Sequence, residues 1–113
     1  MTNATTSEIN STDIVKKLFG DKWKFLIICL LFNRSLYYGE LLSLLDEISK
    51  KVLTENLREL EEMHIIQKEN QRDGNVLKVL YMLTDVGRSL KPIFNNILEW
   101  SLEYSQMLRN NAK

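Results

Sequence analysis

The amino-acid sequence predicts a mainly α-helical domain with a small β-hairpin in its second half. Two observations support this prediction: apolar residues recur with helical spacing as far as Met63, and the spacing becomes a two-residue alternation after His64. A third is the Asp73-Gly74 pair between the two alternating segments, which is typical of a hairpin turn. With 113 residues and 44% hydrophobic content, the chain is long enough for one domain with its own core.

Two helices are predicted in the first part of the chain, after a polar segment. Residues 1–10 are rich in Thr, Asn and Ser, and we expect them to form a flexible tail. Either Ser11 or Thr12 can cap the first helix, and Asp21 can cap the second, which spans 22–32. Because the second helix is apolar on nearly all sides, it is expected at the centre of the core. The apolar stripe of the first helix consists of Ile14, Val15, Leu18 and Phe19.

A short third helix over 38–45 and a longer fourth helix follow a turn at 33–35. Ser49 is placed to cap the fourth helix, which is predicted to run to about Met63. The third helix is expected to turn four leucines inward, namely Leu41, Leu42, Leu44 and Leu45. The apolar stripe of the fourth helix is Val52, Leu53, Leu57 and Leu60.

Two strands are predicted after the fourth helix, over 65–69 and 76–83, with the turn at 72–75. Val79, Tyr81 and Leu83 are expected to share one face of the second strand. A short helix, a tight break and a capped helix with a polar outer face form a helix-turn-helix, and a hairpin after it forms a wing. The predicted fold is therefore a winged helix-turn-helix.

A final helical stretch is predicted to start at Thr84, which can act as its N-cap. Pro92 removes a backbone hydrogen bond from this stretch, so we expect a kink or a break there. Residues 93–108 then form a long amphipathic helix with a wide apolar surface. The predicted domain covers residues 11–108, and 109–113 form a second short tail.

The composition excludes several classes of protein. Fifteen basic and fifteen acidic side chains cancel, so any DNA binding must depend on a local surface and not on the net charge. A single Cys allows no intramolecular disulfide, and one His leaves no zinc-ligand cluster, so we expect no metal and no cofactor. The lone His and Cys lie far apart, and the chain has no Gly-rich phosphate loop, so we do not expect an enzyme.

The longest apolar run, residues 25–32, is too short to span a bilayer. The N-terminal residues also lack the charged and then apolar pattern of a secretory signal. We therefore expect a cytoplasmic protein without a membrane partner. Cys29 lies inside the apolar run, where a cysteine is usually a small buried hydrophobe, and we interpret it in this way and not as a redox sensor.

The polar face of the fourth helix is the strongest candidate for a functional site. A helix fits the major groove of DNA, and residues at its N-terminal end reach the edges of the bases. The simplest alternative is that these side chains form only a solvated surface. The candidate DNA-binding residues of this helix are Ser49, Lys50, Lys51, Thr54, Glu55 and Arg58.

The hairpin tip offers a second, weaker candidate surface, because a wing can lie beside the DNA backbone. Its candidate residues are Arg72, Asn75 and Lys78, although the acidic residues Glu69 and Asp73 lie among them.

The apolar surface of the last helix exceeds what one small domain can cover. Helix-turn-helix proteins usually read two half-sites as symmetric dimers, so a homodimer through the first and last helices is expected. The predicted interface residues are Ile14, Leu18, Ile93, Ile97, Trp100 and Tyr104.

Five segments of the chain carry motifs in a recognisable order and spacing. Each segment is close to the pattern given in parentheses: 20–27 (GKW…LI), 38–41 (F-x-E-L, with Tyr38 in place of Phe), 48–61 (ISxKvLtxxLReLE), 81–90 (YxLTxxGxxL) and the Trp segment 98–100. With these motifs the sequence resembles the HxlR-like winged-helix transcription regulators, which are related to the MarR group. The resemblance covers residues 15–100.

The resemblance implies a transcriptional regulator that binds a pseudo-palindromic duplex as a homodimer, with room for a small-molecule effector. The chain departs from the family pattern at several positions. It has no Cys-Pro near its N-terminus, Tyr37 stands where the family usually has Arg, and His64 stands where Gly commonly ends the recognition helix. The wing also lacks the prolines that are frequent in the family.

A different class of function stays open from the residues alone. A winged helix can serve as a protein–protein interaction module without DNA binding, and the balanced charge is compatible with that role. Salt-sensitive binding to duplex DNA distinguishes the two, because only a DNA binder releases counterions.

Overall fold

The computed structural model describes residues 2–112, and the side chains over 11–112. Within this range the chain is mostly helical with one small antiparallel sheet, so the predicted mainly α fold with a hairpin is confirmed. The elements are α1 (Thr2–Phe19), α2 (Lys22–Asn33), β1 (Leu36–Tyr37), α3 (Tyr38–Leu44), α4 (Lys50–Glu62), β2 (Ile66–Asp73), β3 (Val76–Leu83), α5 (Asp85–Arg88) and α6 (Lys91–Asn111).

The two predicted tails fall at the ends of the described residues. Helix α1 begins at Thr2, ahead of the predicted caps at positions 11 and 12, while Met1 and the side chains of 2–10 lie outside the described residues. Helix α6 continues to Asn111, beyond the predicted end at Leu108, and Lys113 also lies outside. The flexible character of both tails stays a prediction.

Helix α2 lies at the centre of the core, as its apolar sequence predicts. Ile27 and Ile28 are fully buried, and Asp21 caps the helix by accepting a hydrogen bond from the backbone N–H of Trp23 at 2.8 Å. The helix is surrounded by buried side chains from α1, α3, α4, the sheet and α6. These include Leu18, Leu41, Leu53, Leu57, Leu60, Ile66, Tyr81, Leu83 and Phe94.

The prediction for Leu44 is wrong, because this side chain is 54% exposed. Helix α3 is only seven residues long, and the buried residues are Leu41 within it and Leu45 at its C-cap, one helical turn apart. Leu42 is half-buried against the core, whereas Leu44 lies off that stripe.

The sheet has three antiparallel strands in the order β1-β3-β2, although only two were predicted. The additional strand β1 pairs Leu36 with Tyr81 and Tyr37 with Leu80. Strand β2 also extends to Asp73, beyond the predicted end at position 69, because it pairs with β3 along its whole length up to Asp73 and Val76. The inward face of β3 is as predicted, with two of its three side chains buried and Val79 half-buried.

The hairpin closes with a two-residue turn at Gly74 and Asn75. Gly74 has a φ of +66°, and a positive φ costs glycine little and is required at the first central position of the tight hairpin turns. Strand β2 is polar after Ile66, so an alternation of hydrophobic residues cannot set its pairing with β3. The tight turn sets the register of the wing instead.

The stretch after the sheet is divided into two helices, which confirms the break expected at Pro92. Thr84 caps α5 by accepting a hydrogen bond from the backbone N–H of Gly87 at 3.0 Å. A Cβ atom at Gly87 would lie 2.2 Å from the carbonyl oxygen of Ile65, so only glycine fits where α5 meets the start of β2. Pro92 then occupies the first turn of α6, where its missing N–H is tolerated.

None of the helices in the described part of the chain combines the length and the apolar character needed to cross a membrane.

Candidate nucleic-acid interface

Helix α4 presents a continuous polar face at its N-terminal end. The hydroxyl of Ser49 accepts a hydrogen bond from the backbone N–H of Val52 at 3.1 Å, which confirms the predicted cap. Behind this cap, five side chains are exposed on the side of the helix opposite the buried leucines. They are Lys50, Lys51, Thr54, Glu55 and Arg58.

The charges of α4 are unevenly distributed along its length. Lys50 and Lys51 stand at the first turn, and among the described residues neither lies within 4 Å of an acidic group. Arg58 lies further along and forms an exposed ion pair with Glu62 at 3.7 Å. Such an exposed pair is weak, so the guanidinium group of Arg58 is free to exchange Glu62 for another partner.

Thr54 is the candidate residue of α4 whose side chain contacts a neighbouring helix. The hydroxyl of Tyr38 on α3 lies 3.0 Å from the Oγ1 atom of Thr54 and 3.3 Å from the carbonyl oxygen of Lys50. These contacts join α3 to the exposed face of α4. Tyr38 is not among the predicted site residues, because a contact between two helices is not visible in a local pattern of the sequence.

A buried polar cluster holds α4 against α2 from the opposite side. Lys24 is only 4% exposed, and its ammonium group donates hydrogen bonds to the side-chain oxygen of Asn56, at 3.0 Å, and to the carboxylate of Glu59. Asp21 lies 3.7 Å from the same ammonium group. The Asn56 amide in turn donates to the carbonyl oxygen of Val52 at 2.9 Å. The hydrogen bond from Lys24 holds the pKa of Glu59 below its usual range.

This cluster was also missed by sequence reasoning, although a signal for it was present. Lys24 interrupts an otherwise apolar helix, and Asn56 occupies a position within the apolar stripe of α4. A polar side chain at a buried position requires a partner, so the two residues could have been paired with each other.

The register of the hairpin separates the predicted wing residues. Arg72 pairs with Leu77, whereas Lys78 pairs with Gln71. Since successive side chains of a strand point to opposite faces, Arg72 and Lys78 lie on opposite faces of the wing. Asn75 lies in the exposed turn between them. A single flat surface such as a DNA backbone therefore cannot meet both cations in the same way.

The environments of the two wing cations also differ. The ammonium group of Lys78 lies 3.9 Å from the carboxylate of Asp73 and 5.4 Å from the ring centre of Tyr37. The hydroxyl of Tyr37 donates to the side-chain oxygen of Gln71 at 2.6 Å, which ties this face of the wing to β1. Arg72 is exposed, and no acidic group among the described residues lies within 4 Å of it.

The start of α6 is fixed by an aromatic cluster, while the rest of the helix is exposed. Phe94 is the single buried residue of α6, and its ring stacks on Phe25 at 4.5 Å and contacts Phe19 at 5.7 Å. Further along, Trp100 is 57% exposed and stacks on Tyr104 at 5.0 Å.

The predicted dimer residues are found in three environments. Ile14, Ile93, Trp100 and Tyr104 are exposed. Ile97 is half-buried and borders a groove of about 550 Å³ with Phe19 and Leu26. Leu18 is 3% exposed and packs in the core of its own chain, so its side chain is not available on the surface.

Cys29 is less enclosed than predicted, and His64 lies at the end of a helix. Cys29 is half-buried in α2, and burial raises the pKa of its thiol, which disfavours the reactive thiolate. His64 follows the last turn of α4 with a φ of +60°, the left-handed conformation that commonly follows a helix end. No group of His, Cys, Asp and Glu side chains among the described residues is arranged to hold a metal ion.

The chain matches known proteins over most of its length. A family model described as HxlR-like helix-turn-helix matches residues 18–109. An HTH-type transcriptional regulator of Methanothermobacter thermautotrophicus is 31% identical over 103 residues, which are 91% of this chain and 78% of that protein.

Solved structures show the same fold. A MarR-family transcriptional regulator from Enterococcus faecalis V583 gives a TM-score of 0.76 at 28% identity, over 89% of this chain and 91% of that one. The reduced form of the transcriptional regulator YodB from B. subtilis gives a TM-score of 0.71 at 30% identity, over 80% of this chain and 88% of that one.

A helix-turn-helix with an exposed polar α4 and a hairpin wing defines a winged-helix transcriptional regulator of the MarR-like class. The chain belongs to the HxlR-like helix-turn-helix family. It is therefore a DNA-binding transcription regulator and not an enzyme, as the sequence predicted.

Proposed function

We propose that this regulator binds a pseudo-palindromic DNA duplex as a homodimer, with one α4 helix in each of two successive major grooves. The observation that carries the proposal is the exposed polar face of α4 directly behind the Ser49 cap. Two such helices related by a two-fold axis would lie roughly 34 Å apart, which is one turn of B-DNA.

The exposed residues of α4 divide by chemistry into phosphate and base contacts. Lys50 and Lys51 stand at the helix N-terminus, and no acidic group of the described residues lies within 4 Å of them, which suits contacts to phosphates. Arg58 can bind guanine through two hydrogen bonds once it leaves Glu62, and Glu55 can accept a hydrogen bond from the amino group of cytosine. Thr54 can contact a thymine methyl group or hydrogen-bond a base edge.

The wing is expected to contact the sugar–phosphate backbone beside the groove. Asn75 lies at the tip, and Arg72 and Lys78 lie on its two faces. Contacts of this kind position the protein but carry no sequence information directly.

The dimer is proposed to form through α1 and α6. Its support is the apolar surface of α6 beyond Phe94, where Ile97 is half-buried and Trp100 and Tyr104 are exposed. The stripe formed by Ile93, Ile97, Trp100 and Tyr104 follows helical spacing along one side of this helix.

The proposal is tested by selection from a pool of duplexes with about 20 randomised base pairs, a length that spans two half-sites one turn apart. The selected duplex is then used in fluorescence anisotropy with the wild type and with a Lys51→Ala, Thr54→Ala, Arg58→Ala variant. We expect an inverted repeat to be enriched. The variant should bind it more weakly by about 2 kcal/mol or more, since base and phosphate contacts are lost together.

A matched control removes the same amount of positive charge elsewhere. Lys91→Ala with Arg109→Ala on α6 also deletes two exposed cations, but far along the chain from α4. This control should bind nearly as the wild type does, and thermal melts should show all three proteins folded. A triple variant that melts normally and keeps wild-type affinity would contradict the assignment of α4 as the helix that contacts DNA. A wild-type protein that enriches no duplex would instead favour a protein–protein interaction module.

A further inference from the structure

We infer that Tyr38 sets the hydrogen-bonding character of Thr54, and through Thr54 the base that α4 prefers at one position of each half-site. The inference rests on the proposed function, in which α4 reads DNA. Tyr38 itself is a positioning residue, because its effect on the DNA passes through the side chain of another residue.

The geometry places one hydroxyl between two oxygen atoms. Thr54 follows Lys50 by one helical turn, so its Oγ1 atom and the carbonyl oxygen of Lys50 lie on the same side of α4. The hydroxyl oxygen of Tyr38 lies 3.0 Å from the first of these atoms and 3.3 Å from the second. Tyr38 is half-buried, whereas Thr54 is exposed.

When both contacts are made as hydrogen bonds, the number of available protons decides their direction. A carbonyl oxygen can only accept, so the single hydroxyl proton of Tyr38 is donated to Lys50. The contact with Thr54 then requires a second proton, which only the Thr54 hydroxyl can supply. Thr54 is therefore the donor to Tyr38, and its own proton is no longer available to an outside partner.

This direction decides what Thr54 presents to a base. With its proton held by Tyr38, Thr54 offers its methyl group and the lone pairs of its oxygen. A lone pair accepts from the amino group of adenine or cytosine, and the methyl group packs against a thymine methyl. Donation to the O6 and N7 atoms of guanine or to the O4 atom of thymine is disfavoured, because the Tyr38 bond would first have to break.

The chain offers a mild substitution and a matched control for a test. Tyr38→Phe removes only the hydroxyl group. Phenylalanine is also the residue that the F-x-E-L motif has at this position, so the fold should be kept. Tyr37→Phe removes the same atom from the adjacent residue, but the hydroxyl of Tyr37 binds Gln71 in the wing and not α4.

The experiment uses the same pool of randomised duplexes and measures base preference by sequencing the bound fraction. The wild type, Tyr38→Phe, Tyr37→Phe, Thr54→Val and the double variant Tyr38→Phe, Thr54→Val are compared. Thr54→Val should identify the base position that Thr54 contacts. At that position, Tyr38→Phe should raise the share of guanine roughly threefold to tenfold, the effect of one hydrogen bond, because guanine presents the acceptors O6 and N7 and no methyl group. Tyr37→Phe should leave it unchanged.

The double variant separates a specific effect from a general one. Without the Thr54 hydroxyl, Tyr38→Phe has no proton to release, so it should cause no further change in preference. The inference is overturned if Tyr38→Phe, like Tyr37→Phe, leaves the base preference at this position unchanged. It is also overturned if Tyr38→Phe weakens binding to all duplexes alike, or if it changes the base preference by the same amount when Thr54 is replaced by Val. A wild-type protein that enriches no sequence is a different result, because it removes the proposed function itself.

Discussion

The ammonium group of Lys24, buried in α2, donates a hydrogen bond to the carboxylate of Glu59 on α4. The two residues are 35 positions apart, and Asn56 accepts a second hydrogen bond from the same ammonium group. A buried lysine without such partners would be costly. The cluster therefore fixes how α4 sits against the core, and with it the direction in which the exposed face of α4 points.

The charge of Glu59 should make this attachment sensitive to acid. Because Lys24 lowers the pKa of Glu59 in the folded protein, the carboxylate stabilises the fold above its ordinary pKa of about 4.3. That contribution is lost as the pH falls through the lowered folded pKa. We expect Glu59→Gln to reduce the free energy of unfolding at pH 7 by about 1 kcal/mol, since the carboxylate is partly exposed. The difference from the wild type should shrink between about pH 5 and pH 3.

The control for this prediction is Glu62→Gln, which removes the exposed ion pair with Arg58. Its effect on stability should stay below about 0.5 kcal/mol at all pH values. Denaturant titrations at several pH values measure both variants. A gap between Glu59→Gln and the wild type that does not change with pH would contradict a role for the charge of Glu59.

The end of α4 contains a conformational strain that can be removed. His64 has a φ of +60°, a conformation that is unfavourable for a residue with a Cβ atom. His64→Gly should therefore raise the free energy of unfolding by about 1 kcal/mol, whereas His64→Ala should give no such gain because it keeps the Cβ atom. Thermal melts compare the two variants. Equal or greater stabilisation by alanine would mean that the imidazole, and not the backbone conformation, is the unfavourable element.

The parts of the fold that could be predicted from sequence are those with local causes. The bounds of α4 follow from the Ser49 cap and from a stripe of leucines at helical spacing, and the position of the hairpin follows from its turn. Strand β1 could not be predicted, because two residues have no period and are defined only by their pairing with β3. Leu44 was misplaced because it lies off the stripe of Leu41 and Leu45, and four leucines within five residues do not show which of them face the core.

The sequence predicts which residues of the candidate site are exposed, but not which other residues they contact. The exposed face of α4 is visible in the sequence as the polar complement of the leucine stripe. The bond between Tyr38 and Thr54 depends on how α3 crosses α4, and the opposite placement of Arg72 and Lys78 depends on the exact register of the wing. Neither relationship is contained in a local pattern of the sequence.

Assembly can be tested on the exposed aromatic pair of α6. Trp100 stacks on Tyr104, and both belong to the stripe proposed to face the second copy. Trp100→Glu places a charge in that contact and should convert the protein to a monomer in sedimentation experiments, because burial of an unpaired charge is costly. Its binding to the selected inverted repeat should weaken at the same time, since two half-sites are no longer read together.

The control for assembly is Leu102→Glu. Leu102 is also exposed on α6, but it lies about 200° around the helix from Trp100. This variant should remain a dimer. A Trp100→Glu protein that stays dimeric, or a Leu102→Glu protein that dissociates, would place the interface on another side of α6.

The two faces of the wing predict different roles for its cations. Arg72 is exposed and has no acidic group within 4 Å among the described residues, whereas Lys78 lies between Asp73 and the ring of Tyr37 on the opposite face. Arg72→Ala should therefore weaken binding to all duplexes alike and reduce the slope of log K against log salt concentration by about one. Lys78→Ala should change the slope much less, because Lys78 lies on the opposite face of the wing from Arg72. Anisotropy titrations of the selected duplex and a scrambled duplex at several salt concentrations measure both slopes. If Lys78→Ala lowers the slope and Arg72→Ala does not, the opposite face of the wing is the one that meets the phosphates.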